Sequence, residues 1–294
     1  MLIASGVLAG WALTEQEAQV RRQRRDAGRR QGALELRLAS AAVAIPLIIL
    51  LIWTGDRWYT GVVAAILFFA TLEFQAARGS RLSALAFLGA ALSAGLVVAA
   101  HARGEWLIWA VTGVAVLPLL WALLAYPTED AVVEWLWAVG AVLYLGWLGC
   151  HLVLLRDIGD GRDWVYLAIF STFATDTGAY FAGRAVGRTP LAPAISPGKT
   201  VEGGVGGMVC GVAAVLLFNY LLGLRVEAAL IIPLAVLLPI AAQTGDLIES
   251  KLKRSMQVKD ASRLIPGHGG LMDRLDSVLL TVVVVYYFLK WVIL

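Results

Sequence analysis

Residues 106–126 read WLIWAVTGVAVLPLLWALLAY, 21 positions without one charged side chain. A helix rises about 1.5 Å per residue, so a run of this length matches a bilayer hydrocarbon core of about 30 Å. The run does not alternate apolar with polar residues, and backbone groups cannot stay unpaired in lipid, which together favour a helix over a barrel strand. Comparable runs lie at 38–53, 58–76, 82–100, 132–154, 164–183, 203–222, 228–250 and 276–293. They predict an all-α, polytopic integral membrane protein with about nine transmembrane helices. Composition agrees, with 60% hydrophobic and 15% charged residues among 294, where soluble chains carry about a quarter charged. No room is left for a large soluble domain.

Residues 1–33 stand apart. An apolar start too short to span is followed by Arg21, Arg22, Arg24, Arg25, Arg29 and Arg30, which reads as a surface-lying or disordered basic extension. Its arginines suit an orientation signal, or else recruitment of anionic lipid. Trp53, Trp58, Trp106, Trp135, Trp164 and Trp291 fall near span ends, where an amphipathic indole prefers the headgroup level. Cys150 and Cys210 lie in separate apolar segments without metal or disulfide spacing and are assigned to packing. With the N-terminus cytoplasmic, 18 of the 24 Lys and Arg residues fall on the cytoplasmic side of nine alternating spans. Connections 184–202 and 251–275 are then both cytoplasmic. The expected division is a basic extension at 1–33, a scaffold at 34–163 with almost purely hydrocarbon spans, and a catalytic region at 164–294.

Polar residues concentrate in that last region. Asp176 sits within an apolar run, where a carboxylate costs about 2.5–3.5 kcal/mol on insertion scales, so it should face a cavity or lie near the interface. Ser196-Pro197-Gly198-Lys199-Thr200 leads into a helix start, and backbone N–H groups there together with Lys199 suit a phosphate, though such a start is a weak signal by itself. Gly203, Gly207 and Gly211 recur every four residues along one face and predict close helix packing rather than a nucleotide loop. Asp246, Glu249, Ser250 and Lys253 share one helix face, and Asp273 and Asp276 share another across the loop. Magnesium takes oxygen ligands, one or two of them carboxylates, so Asp246, Asp273 and Asp276 suit a metal. Between them lie Lys253, Arg254, Lys259, Arg263 and Pro266-Gly267-His268-Gly269-Gly270, cations and flexible backbone suited to anions. The combination predicts a metal–polyphosphate site.

The stretch from Ser250 to Asp276, with Lys253-Arg254, Lys259-Asp260, Ser262 and Ile265-Pro-Gly-His-Gly-Gly-Leu-Met-Asp-Arg-Leu-Asp276, resembles the signature of the phosphatidate cytidylyltransferases, or CDP-diacylglycerol synthases. The resemblance continues upstream through Asp176-Thr-Gly-Ala-Tyr, Ser196 to Gly203 and Gly245-Asp246, and does not touch residues 1–33. It implies the reaction CTP + phosphatidate → CDP-diacylglycerol + pyrophosphate, with magnesium and, in some members, a potassium ion paired with it. It implies metal ligands at Asp246, Asp273 and Asp276, and charge neutralisation by Lys199, Lys253, Arg254 and Lys259. His268 and Arg274 would orient phosphates, and Asp176, Ser196, Thr200, Gly269 and Gly270 would border the substrates. The implied partners are CTP, phosphatidate and membrane lipids, with no nucleic acid and with a homodimer left open. The implied setting is a bacterial inner membrane with the site facing the cytoplasm.

The chemistry is consistent with this resemblance. A phosphomonoester with a second pKa of about 6 is mostly dianionic at neutral pH and needs no general base to attack. The obstacle is repulsion between anions, which cations on the attacking and leaving sides relieve. A secondary transporter would also carry intramembrane carboxylates. Against it, the polar residues collect toward one face and no inverted repeat is visible. A sibling cytidylyltransferase or a CTP-dependent lipid kinase acting on another lipid is the nearer rival.

Overall fold

The computed structural model describes residues 42–79, 83–102, 104–259, 261–262 and 270–294. The basic extension, Arg263, His268 and Gly269 lie outside them. Helix α1 is Ala42–Thr54. After it come α2 (Asp56–Ala77), α3 (Ala84–Ala102), α4 (Glu105–Ala125) and α5 (Thr128–Ala141). A π-helical segment, Val142–Trp147, runs on into α6 (Leu148–Arg156), so that α5 to α6 forms one membrane-length rod. Then follow α7 (Gly161–Val186), a two-stranded antiparallel hairpin of β1 (Pro190–Ala192) and β2 (Ser196–Thr200), α8 (Val201–Leu221), α9 (Ala228–Ser255), a 3₁₀ turn (Met272–Arg274) and α10 (Asp276–Phe288).

Each predicted span coincides with one of these helices. Seven are long and apolar enough to cross a membrane, and the protein is an integral membrane protein. The other two are α1, described only from Ala42, and α7, whose Arg162, Asp163, Asp176 and Arg184 lower its apolar character. A short hairpin is added to the helices without changing the all-α class: Ser196–Thr200, which leads into α8, is extended strand. Its Pro197 leaves one amide without a hydrogen to donate, as an edge strand tolerates.

Lipid tails are as apolar as leucine, so helices associate through close packing and interhelical hydrogen bonds rather than hydrophobic transfer. Gly203, Gly207 and Gly211 are buried against α7, as their spacing predicts. A methyl at position 207 would stand 2.9 Å from the Thr175 carbonyl and 3.0 Å from Ala179 Cβ. Inside, Thr172 donates to Ala168 O at 2.7 Å and meets Thr281 Oγ1 at 3.0 Å, joining α7 to α10. Thr71 meets Ser93 at 2.9 Å, joining α2 to α3. Leu67, Leu155, Leu167, Leu234 and Leu238 fill the main core.

Two expectations change. Trp164 is core, 4% exposed, rather than an interfacial anchor, and belongs to the main apolar cluster. The scaffold spans are also less purely hydrocarbon than they read. Arg78 forms a two-pronged ion pair with Glu134, and Glu73 is buried.

Candidate active site

Helix α9 carries Asp246, Glu249 and Lys253 at spacings of three and four, which place them on one face near its C-terminal end. Gly245 brings that face against the start of α10: a Cβ at this position would overlap the Asp276 carbonyl. Asp276 opens α10, and its Oδ1 accepts its neighbour Ser277 N–H at 2.7 Å. The positive end of a helix dipole stabilises a carboxylate there. As a result, carboxylate oxygens of Asp246, Glu249 and Asp276 all lie within 4.8 Å of one another.

Around this cluster the cations are arranged unevenly. Lys253 Nζ lies 3.2 Å from Glu249 Oε1 and 2.8 Å from Asp273 Oδ1. Lys199, at the end of β2, reaches Asp246 Oδ2 at 2.5 Å. Asp273 takes its second hydrogen bond from Gly270 N–H at 2.8 Å. Burial pushes the Asp273 carboxyl up, but the Lys253 ammonium and the Gly270 N–H more than offset it, and the group stands below its ordinary carboxylate value. Asp176, on α7, accepts from Ser277 Oγ at 3.4 Å. A cavity of about 500 Å³ opens beside Asp246, lined among others by Asp176, Lys199, Gly203, Gly204 and Gln243. Gln243 is held in that wall by donating to Gly204 O at 3.2 Å.

The residues singled out from sequence therefore divide. Asp176, Lys199, Asp246, Lys253, Asp273 and Asp276 converge, with buried Gly270 at the edge. Arg254 is turned away and donates to Ile195 O at 3.2 Å, bracing the β-hairpin. Thr200 serves as the N-cap of α8, its Oγ1 accepting Gly203 N–H at 3.1 Å, and it also borders the cavity. Ser196 begins β2. Lys259 and Arg274 are exposed, and His268 and Gly269 lie outside the described residues.

Glu249 is the residue that sequence reading set aside. It is fully buried: its Oε1 faces the Lys253 ammonium at 3.2 Å, while its Oε2 lacks a hydrogen bond among the described residues. Its spacing of three from Asp246 is the signal that could have found it. Three carboxylates so close repel unless positive charge stands among them. A donor set of carboxylate oxygens, one of them buried and without a hydrogen-bond donor, fits a hard divalent cation.

Residues 35–292 match the family model described as the cytidylyltransferase family. The chain belongs to the cytidylyltransferase family. Among curated relatives, the phosphatidate cytidylyltransferase of Bacillus subtilis is 36% identical over 150 residues, which is 51% of this chain and 56% of that protein. That of Staphylococcus saprophyticus is 37% identical over 141 residues, 48% and 54% of the two chains. That of Staphylococcus haemolyticus is 41% identical over 118 residues, 40% and 45%. The chain spans about half the length of the curated relatives it matches. Among cytidylyltransferase family members, then, these relatives share the name that the Ser250–Asp276 signature suggested.

Proposed function

We propose that this cytidylyltransferase family member is a phosphatidate cytidylyltransferase that makes CDP-diacylglycerol and pyrophosphate from CTP and phosphatidate in phospholipid biosynthesis. The observation that carries the reading is the Asp246–Glu249–Asp276 cluster, with Lys199 and Lys253 beside it, at the wall of a cavity of about 500 Å³. Asp246, Glu249 and Asp276, with Asp273 adjoining through Lys253, are the residues that would hold magnesium, with or without a paired potassium ion. Bound there, the metal would supply positive charge to the nucleotide phosphates.

A lipid phosphate oxygen forms a bond to the α-phosphorus of CTP while the bond from that phosphorus to the bridging oxygen of the β-phosphate breaks, releasing pyrophosphate. Lys199 is a cation that lines the cavity: its partner Asp246 is a ligand candidate, and a phosphate can replace that partner at the ammonium. Lys253 is held by two carboxylates and fixes Asp273 relative to Glu249. His268, Gly269, Gly270 and Arg274 border the phosphates in this reading, and Arg254 acts through the hairpin that carries Lys199. Residues 34–163 serve as scaffold and 164–294 as the catalytic region. The site faces the cytoplasm of a bacterial plasma membrane, since 18 of 24 basic residues fall on that side.

The test is the product formed by the purified chain from CTP labelled in either the base or the γ-phosphate, with phosphatidate and magnesium. Cytidine label in lipid with release of labelled pyrophosphate is expected. Labelled phosphate in lipid would mean a kinase, and label in neither would end the reading.

A further inference from the structure

Glu73 lies near the C-terminal end of α2, in the half of the chain that reads from sequence as scaffold, and is 7% exposed. A carboxylate placed so in a membrane helix is costly and calls for a partner. That partner is backbone. Glu73 Oε2 accepts the Leu271 N–H at 2.8 Å across a sequence separation of 198. The Ser262 side chain and the Met272 backbone border the same carboxylate, while Oε1 is buried without a hydrogen bond among the described residues. The preceding amide, Gly270 N–H, turns instead to Asp273 Oδ2 at 2.8 Å. Two successive amides are thus taken by two carboxylates, one from the turn and one from α2. A Cβ at 270 would overlap the Glu73 carboxylate, so a larger residue there requires that carboxylate to move.

We propose that Glu73 is a positioning residue for the active site: by holding the Leu271 amide it sets where the turn after Gly270 presents Asp273 to Lys253. The inference rests on the activity proposed above. A 3₁₀ turn of three residues, Met272–Arg274, has little stability of its own. Its placement therefore depends on contacts from outside, and Glu73 provides one from a helix remote in sequence. The effect passes to the carboxylate cluster through Lys253, which touches Asp273 and Glu249.

If Glu73 only held helices together, an apolar side chain of similar volume should serve as well, because it removes the cost of a carboxylate in the membrane. The full chain in detergent is compared with Glu73→Leu, Glu73→Asp and Glu73→Gln. Glu73→Leu should change the melting temperature little, because losing a carboxylate in the membrane offsets leaving the Leu271 amide unpaired, yet lose kcat by about 100-fold, with the KM for CTP within a few-fold of the parent. Amide hydrogen exchange across 270–272 should speed up roughly tenfold in the same variant, since a hydrogen bond to a charged acceptor is gone. Glu73→Gln keeps an acceptor oxygen at the same reach and should hold kcat within about tenfold of the parent, with parental exchange. Glu73→Asp keeps the charge but is one methylene short, and should resemble Glu73→Leu. Parental kcat and exchange in Glu73→Leu would overturn the proposal, as would a Glu73→Gln indistinguishable from it. If Glu73→Leu fails to fold, the contrast between Asp and Gln carries the same decision. The exchange measurement needs no substrate, so it decides on Glu73 even if the parent transfers no cytidylate, a result that would remove only the activity reading.

Discussion

At the scale of single residues, the carboxylate cluster sets the sharpest expectations. Glu249 is fully buried, and Glu249→Gln changes its charge while leaving its shape. Turnover of CTP and phosphatidate should fall at least about 100-fold, since even partners one shell outside a metal cost 10–100-fold, while the variant elutes like the parent. Near-parental turnover across a magnesium titration would take Glu249 out of the metal centre. Asp273 yields a pH expectation that needs no substrate. Its folded carboxyl stands below the ordinary value, so the stability it contributes is fully present above an unfolded pKa of about 3.9 and is lost as pH falls through the lower folded value. In chelator, the parent should therefore melt above Asp273→Asn at neutral pH, and the gap should close on acidification below about pH 4. A gap that widened on acidification would contradict the Lys253–Asp273 pairing.

At the scale of elements, the contact of α7 with α8 rests on glycines. Gly211 approaches Thr175 Oγ1 and Pro239 so closely that a Cβ would overlap both. Gly211→Val should destabilise the protein by about 1–3 kcal/mol or more, read as a lower melting temperature in detergent. Gly61→Ala in α2, where nothing lies within 4 Å, should be neutral or slightly stabilising. Equal losses from both would show that the close approach at Gly211 is not what sets the cost. The four-residue spacing made this face legible in sequence, because a straight helix turns a regular spacing into a stripe. The β-hairpin was not legible. Its short strands carry no alternating pattern, and Glu202, which accepts from Arg188 N, Thr189 N and Thr189 Oγ1, looks in sequence like an ordinary first-turn acid.

At the scale of the whole molecule, the proposed orientation rests on charge. In a background lacking Cys150 and Cys210, a cysteine replacing exposed Gln257 should react with impermeant reagent only from the cytoplasmic face of vesicles. Reaction from the outer face alone would invert the topology and the proposed side of the site. The sequence by itself determined the all-helical membrane class and the positions of the spans, and it carries the carboxylates and cations on which the proposed catalytic region rests. Each of these depends on local runs: a stretch of apolar residues must span, and carboxylates three or four apart must share a helix face. Tertiary structure alone decided which acids meet. Asp276 joins Asp246 and Glu249 because Gly245 lets α9 and α10 touch, and Arg254 leaves the cluster because the hairpin offers it the Ile195 carbonyl. Glu73 reaches Leu271 across 198 positions of sequence because α2 packs beside the turn. Contacts of that kind are set by which helices are neighbours, and a hydropathy pattern, which is nearly the same for every span, carries no record of that order.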